Sequence, residues 1–330
     1  MRAIFFGERD STFSRLHLAQ LARHAEILLW VASAEKNEKH LRQPFLSRRD
    51  WWERMVIRGR FESQILRAFG KPARWLIPSN IPVYLSRRKD LDLPDVIARA
   101  APDIIVSAGY RFLLPKVVLQ MPRLGAFNCH PSLLPHYAGS NPWFWILRNG
   151  EQVSGVTIHC MVATADAGDI VAQQAFAVSK EMNHQALYNE SSVRSARLLS
   201  QILQDSKSDA LVARPQDLTQ YQFFPSPRDA DYRIDWNCSA AEIKDLVRAA
   251  LPAPGAWTTV AGYRISVRRV KVVTMQQGTP AQVLDVNPDG VAVACKRDAL
   301  VIHTVEWNGR EYELKQVARE LGLAKGICLS

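Results

Sequence analysis

Arg2-Ala3-Ile4-Phe5-Phe6-Gly7 is a short apolar run stopped by glycine, and the residues after it decide the fold. Phe13, Leu16, Leu18, Leu21 and Ala22 follow at approximate helical spacing, and Ala25–Val31 is apolar again. Strand, helix and strand over residues 1–35 predict a βαβ unit, hence a parallel sheet with right-handed crossovers. A single Gly7 is not the G-x-G-x-x-G fingerprint, so a nicotinamide cofactor has no support. From Leu93 the α/β rhythm returns: Asp103–Ser107 reads as a buried strand, Gly109–Pro115 as a loop, and Ala126-Phe127-Asn128 as a strand entering a polar turn. Asn141-Pro142 is an N-cap with proline at the first helical position. Strands are expected at Val153–Met161 and Ile170–Val178, and an amphipathic helix over Asn183–Leu203.

The remainder reads differently. Residues 206–230 turn polar, with Pro215, Pro225 and Pro227, and form a linker between residues 1–205 and a second domain at 231–330. Ser239-Ala240-Ala241-Glu242 is a capping box, and Pro252-Ala253-Pro254-Gly255 stops the helix it opens. Turns at Ala261-Gly262, Pro288-Asp289-Gly290 and Asn308-Gly309 space short strands as in a small barrel. In Arg264–Val273 the polar positions change parity, which suits a β-bulge.

Two domains also fit the length of 330 residues. With 47% hydrophobic and 22% charged residues, the chain is too apolar to be disordered. No apolar run approaches the roughly 18–20 residues of a membrane span, and the opening segment is broken too soon to read as a signal peptide. Cys129, Cys160, Cys238, Cys295 and Cys328 show no paired spacing and sit mostly in apolar runs. A cytoplasmic protein without zinc fingers is expected. The net charge of +10 favours an anionic partner. Arginines 48, 49, 54, 58 and 60 around Trp51 and Trp52 form either a solvated helix or a surface for such a partner.

The densest polar group is Asn128-Cys129-His130-Pro131-Ser132-Leu133-Leu134-Pro135, at the carboxyl end of an expected parallel strand, where open α/β sheets bind ligands. Further on, Asp166 and Asp169 stand in a glycine-bearing loop between two strands. An amide, an imidazole and a carboxylate gathered there can run acyl transfer without a covalent intermediate. The amide and an imidazolium stabilise the oxyanion, while the carboxylate orients the ring and accepts a proton. His130 and His136 lack compact ligand spacing, so no metal is expected. His159 alternates with apolar neighbours and reads as structural, and Gly70-Lys71 lacks the earlier P-loop glycine.

Asn128-x-His130-x-Ser132-Leu133-Leu134-Pro135, with Tyr137-x-Gly139, Pro142, Trp145, Asn149-Gly150-Glu151, Gly155-Val156-Thr157 and Asp166-x-Gly168-Asp169-Ile170, resembles the 10-formyltetrahydrofolate-dependent formyltransferases. Arg233-Ile234-Asp235-Trp236, Arg248-Ala249 and Pro252-x-Pro254-Gly255-Ala256 extend the resemblance into the second domain, over roughly residues 75–305. It implies a Rossmann-like open parallel sheet followed by a small OB-like barrel. It also implies a catalytic trio of Asn128, His130 and Asp166, and donor contacts from Tyr110, Phe112, Leu113, Leu114, Ser132, Val162, Ala163 and Ala165. Ser132 would also order the catalytic loop.

The implied acceptor divides the family. Gly7-Glu8-Arg9-Asp10 lacks the Gly-Thr-Pro-x-Phe stretch usual in the methionyl-tRNA enzymes. Gln222-Phe223-Phe224-Pro225 and the bulky Asn141-Pro142-Trp143-Phe144-Trp145 look closer to members that formylate amino-sugar nucleotides or N-hydroxyornithine. A small amine or hydroxylamine is therefore the expected acceptor, with methionyl-tRNA the alternative. An inert folate-binding protein and a hydrolase of the formyl donor are the other readings.

Overall fold

The computed structural model describes residues 1–33, 81–88, 90–206, 211–274 and 278–330. The basic segment around Trp51 and Trp52 and the pair Gly70-Lys71 lie outside the described residues. Two compact units emerge: Met1–Gly139 with Ser154–Phe176 and Tyr188–Phe223, and Ser140–Val153 with Ala177–Leu187 and Phe224–Ser330.

In chain order the first elements are β1 (Arg2–Gly7), α1 (Thr12–Leu21), β2 (Glu26–Ser33), β3 (Val83–Ser86), α2 (Leu93–Ala100), β4 (Ile104–Ala108), α3 (Lys116–Leu119) and β5 (Ala126–His130). Helix α4 (Pro142–Arg148), β6 (Val153–Cys160), β7 (Ile170–Ala177) and α5 (His184–Ser206) follow. The strands form one sheet in the order β3-β2-β1-β4-β5-β6-β7. Ala3 to Phe6 are wholly buried, as a central strand covered on both faces requires. Strands β1 to β5 pair in parallel. Strand order reverses at β1, with β2 on one side and β4 on the other. The expected parallel sheet ends at β5, because β6 pairs with it antiparallel. Antiparallel pairing sets residues directly opposite one another, and that register builds the site described below.

Helix α2 shows how sequence becomes packing. Pro94 starts it, and Leu93 and Ile97, one turn apart, join a core with Ile4, Phe6, Val31, Ile105 and Val118. Ala101, at φ 45°, ends it. Helix α1 explains its own blurred stripe. Ser14, His17 and Gln20 are buried along with Phe13, Leu16 and Leu18. The Ser11 side chain caps the helix by accepting from Ser14 N–H. Tyr188 of α5 donates or accepts at Ser11 Oγ over 3.1 Å and accepts from Phe13 N–H over 2.9 Å.

In the second unit, α6 (Ala240–Ala249) opens with the expected capping box of Ser239 and Glu242. Six strands follow: β8 (Ala256–Val260), β9 (Tyr263–Val273), β10 (Val283–Asn287), β11 (Gly290–Ala294), β12 (Ala299–Trp307) and β13 (Arg310–Glu313). Their order is β8-β9-β12-β11-β10, with β13 paired to β12. Ala261-Gly262 and Asn308-Gly309 turn the chain with positive φ at both positions, the geometry two-residue hairpins prefer. The register of β9 on β12 shifts on either side of Arg269, at the expected bulge.

The small OB-like barrel is met only as an antiparallel sheet. Among the described residues no strand pairing joins β8 to β10. Both outer edges bond instead to the segment Gly326–Ser330. Val283 N–H donates to Ile327 O over 2.7 Å and Leu329 N–H to Ala281 O over 3.0 Å; Thr259 N–H donates to Ser330 O over 2.6 Å. That segment takes the backbone bonds that closure would have used.

Candidate active site

Alternation along β5 puts Asn128 and His130 on one face and turns the buried Cys129 to the other. Asn128 is aligned with Ser107 of β4 and stands opposite His159 of β6. Beyond β6 the chain folds back at once: Cys160 N–H donates to Asp169 O and Met161 N–H to Ala126 O, each over 2.8 Å. The return places Asp166, in a left-handed conformation at φ 52°, against the face that carries Asn128 and His130. Gly168 makes the return possible, because a Cβ there would lie 1.9 Å from Cys160 O.

The Asp166 carboxylate is the hub. Oδ1 accepts from Asn128 Nδ2 over 3.3 Å and lies 3.4 Å from His159 Nε2. Oδ2 accepts from Gly139 N–H over 2.8 Å and lies 3.6 Å from His130 Nδ1. Its loop is pinned from behind. Gln216 Nε2 donates to Asp166 O over 2.9 Å and to Gly168 O over 2.5 Å, and the Tyr221 hydroxyl donates to Ala165 O over 2.8 Å.

Carbonyl oxygens fix the protons on both rings. His130 Nε2 donates to Tyr137 O over 2.8 Å, which leaves Nδ1 facing the carboxylate. His159 Nδ1 donates to Cys160 O over 2.8 Å, so Nε2 faces Asp166 and lies 3.2 Å from Asn128 Nδ2. Asn128 Nδ2 is therefore within hydrogen-bond reach of both Asp166 Oδ1 and His159 Nε2. Burial would lift the Asp166 pKa, but the charge of His130, the hydrogen bond and charge of His159 and the Gly139 N–H hold the carboxyl well below the usual range. For His130 burial prevails over Asp166 and the Tyr137 carbonyl and lowers the pKa. The site thus pairs a fixed carboxylate with an imidazole that gives up a proton more readily than a free one does.

The residues expected to hold the donor are spread over three loops. Leu114 is buried in the core cluster. Tyr110 packs on Phe6 with ring centroids 5.1 Å apart and on Phe112 at 5.6 Å, and its hydroxyl donates to Ser86 Oγ over 2.8 Å. Burial pushes that hydroxyl up to about 12. Leu113 and Val162, by contrast, are exposed apolar side chains. Ala163 is exposed and Ala165 half-buried. Ser132 is fully buried; its hydroxyl donates to His136 O and its carbonyl accepts from Thr157 Oγ1 over 2.6 Å. Those bonds order the turn after β5. Among the described residues no group of three His, Cys, Asp or Glu side chains could hold a metal ion. None of the described helices is long and apolar enough to cross a membrane.

His159, Gln216 and Tyr221 join the site without a motif in the sequence to mark them. A polar ring in an otherwise apolar strand was the available signal, but only pairing shows that it faces Asn128. One expectation follows directly from Gly168. Gly168→Ala should displace the Asp166 loop and cut kcat at least tenfold, with a thermal midpoint within a few degrees of the parent. Unchanged kcat would separate the loop from the chemistry.

Residues 62–203 match the family model described as formyl transferase, and residues 228–321 match that of the formyl transferase C-terminal domain. Among solved structures, HypX from Aquifex aeolicus in complex with tetrahydrofolic acid aligns at 19% identity and a TM-score of 0.59, over 100% of this chain and 50% of that one. The chain thus spans about half the length of the HypX structures it matches. The N-formyltransferase from Helicobacter canadensis, in complex with folinic acid and dTDP-3-aminofucose, aligns at 14% identity and a TM-score of 0.61, over 94% of this chain and 99% of that one. A 4-N formyltransferase from Francisella tularensis gives 15% identity and a TM-score of 0.57, over 84% and 98%. At such identities the structural likeness speaks for the fold. Family membership rests on the two sequence matches, which together span more than two thirds of the residues: the chain belongs to the formyl transferase family.

Proposed function

We propose that the protein is a cytoplasmic N-formyltransferase that moves a formyl group from 10-formyltetrahydrofolate to the nitrogen of a small amine or hydroxylamine. The observation that carries this reading is the single carboxylate, Asp166, which gathers Asn128, His130, His159 and the Gly139 N–H around one point. Residues 1–205 hold the chemistry in this reading, 206–230 link, and the OB-like domain at 231–330 is accessory. The exposed apolar side chains of Leu113 and Val162 suit the faces of a pterin. The donor supplies an activated formyl carbon.

The chain's own residues do the rest. Asn128 Nδ2 turns one N–H from Asp166 or His159 to the formyl oxygen as negative charge develops there. His130, when protonated at Nδ1, gives a second, charge-assisted bond to the same oxygen. Asp166 accepts the proton that the attacking nitrogen loses. The lowered pKa of His130 eases delivery of its Nδ1 proton to the departing folate nitrogen.

Two structural neighbours are named as sugar N-formyltransferases and a third, an N-formyltransferase, is in complex with dTDP-3-aminofucose, which supports a small acceptor over methionyl-tRNA. The test is release of tetrahydrofolate from 10-formyltetrahydrofolate with amino-sugar nucleotides, N-hydroxyornithine and methionyl-tRNA as acceptors. One small amine should be formylated rapidly, and Asn128→Ala and His130→Ala should each reduce turnover by about 10²–10³-fold. Near-normal turnover in His130→Ala would sink the mechanism. Formate release without an acceptor would make the protein a hydrolase, and donor binding without turnover would make it an inert folate binder.

A further inference from the structure

After α5 the chain runs back past the site, and the stretch from Arg214 to Gln222 bonds to both loops that build it. Arg214 and Ile170, the first residue of β7, exchange N–H to O bonds of 2.8 and 2.9 Å. Gln216 and Tyr221 hold the Asp166 loop by three carbonyls, those of Ala165, Asp166 and Gly168. Gln222 then meets the turn after β5. Its N–H donates to Pro135 O over 3.2 Å, and its carbonyl accepts from Ala138 N–H over 2.9 Å. The Tyr221 ring packs on Leu134, Ala138 and Ile170.

The turn so held carries Tyr137, whose carbonyl fixes the His130 ring, and Gly139, whose N–H bonds to Asp166. One segment that bears no reacting group therefore ties the Asp166 loop to the turn that orients His130. The spacing it sets is a sensitive one. His130 Nδ1 stands 3.6 Å from Asp166 Oδ2, beyond hydrogen-bond length, so the two groups do not fix each other directly.

Gln216 is the central hold. Its single amide nitrogen serves the carbonyls on either side of Ala167 and so closes the turn in which Asp166 takes a φ of 52°. Only the amide side chains put two N–H groups on one neutral nitrogen. Gln216 Oε1 is buried and makes no hydrogen bond among the described residues, so the amide is oriented by its donors alone. An unmet buried acceptor and a left-handed residue other than glycine both weaken a fold. Here both stand at the hub of the site, where such local losses accompany function. We infer, resting on the formyl-transfer reading, that Gln216 is a positioning residue. It sets the distance from the Asp166 carboxylate to His130 and Asn128, and so the rate of transfer, with Tyr221 as a second hold on the same loop.

Gln216→Met, of similar length and without a donor, tests this beside Tyr221→Phe, which loses one hydroxyl and keeps the ring. Gln216→Met should lower kcat for formyl transfer by about ten- to a hundredfold, with KM for 10-formyltetrahydrofolate within about threefold of the parent. Tyr221→Phe should move kcat the same way by less. A raised KM with kcat unchanged would make Gln216 a support for donor binding and overturn the inference. The His130 ring gives a readout that needs no substrate. Facing it are the Asp166 carboxylate and the Tyr137 carbonyl, which raise its pKa, and the His159 ring, whose charge lowers it. With the Asp166 charge moved away, His130 should titrate at lower pH in Gln216→Met than in the parent, followed by NMR on the signal that His130→Ala lacks. A titration and kcat like the parent's, even beside a lowered thermal midpoint, would leave Gln216 a structural support only. Should Gln216→Met not fold, the same two measurements on Tyr221→Phe decide. A parent that transfers no formyl group removes the reading, while the His130 titration still tests the positioning. Transfer by Gln216→Met at the parent's rate removes the positioning and leaves the reading.

Discussion

Asp166→Asn is expected to lower kcat by about 10²–10³-fold while the protein stays folded, the largest loss any single isosteric change should produce. Each carboxylate oxygen faces two nitrogen groups: Asn128 Nδ2 and His159 Nε2 at Oδ1, Gly139 N–H and His130 Nδ1 at Oδ2. An asparagine keeps one oxygen and replaces the other with an NH₂ group that can only donate. Placed at Oδ2 it confronts the Gly139 N–H; placed at Oδ1 it confronts the Asn128 amide. Either way a buried donor is left unmet, at about 1–3 kcal/mol, and the acceptor for the substrate proton is gone. Steady-state kinetics beside a thermal melt separate the two effects. A melt shifted by a few degrees with kcat unchanged would make Asp166 a structural hub only.

The second large effect is acid destabilisation through His17. The ring is fully buried, and its Nδ1 donates to Phe13 O over 2.6 Å while Nε2 accepts from Ser195 Oγ over 2.7 Å. Both bonds are satisfied by the neutral ring. Burial lowers its pKa from 6.5 to about 4, and the Phe13 carbonyl only partly opposes that. Below pH 6.5 the unfolded chain binds a proton that the folded chain refuses until about 4, so stability falls as the pH falls through that window. The full loss from this ring is about 3 kcal/mol, reached below the folded value. His17→Gln should be less stable than the parent at pH 7 yet lose less between pH 6.5 and 4. Urea unfolding across that range measures the difference, and parallel curves for the two proteins would remove His17 as the cause.

What the sequence disclosed was local. Residues in direct succession specify the apolar run of β1, the capping box at Ser239 and Glu242, the turns at Ala261-Gly262 and Asn308-Gly309, and the bulge beside Arg269. The same holds for Asn128 and His130, which alternation alone puts on one face. What stayed hidden was pairing between distant segments. Nothing in Val153–Cys160 states that the strand runs antiparallel to β5 or that His159 will stand opposite Asn128. Nor does the tail near Ile327 announce that it will bond to two sheet edges. As loop carboxylates alone Asp166 and Asp169 are equal; the resemblance to the formyltransferases singles out Asp166, and the return of the chain at Gly168 is what turns it inward. The buried polar face of α1 was obscured for a similar reason, since its partners Tyr188 and Ser195 lie far along the chain on α5.

The segment Gly326–Ser330 has a consequence for how the protein behaves among other molecules. Strands β8 and β10 would otherwise each offer a row of open amide and carbonyl groups, the usual template for intermolecular strand addition. Five residues of the same chain occupy those rows at Thr259, Ala281 and Val283. Resistance to aggregation is therefore built into the backbone of the second unit, and it does not depend on the repulsion that the net positive charge supplies and that salt would screen.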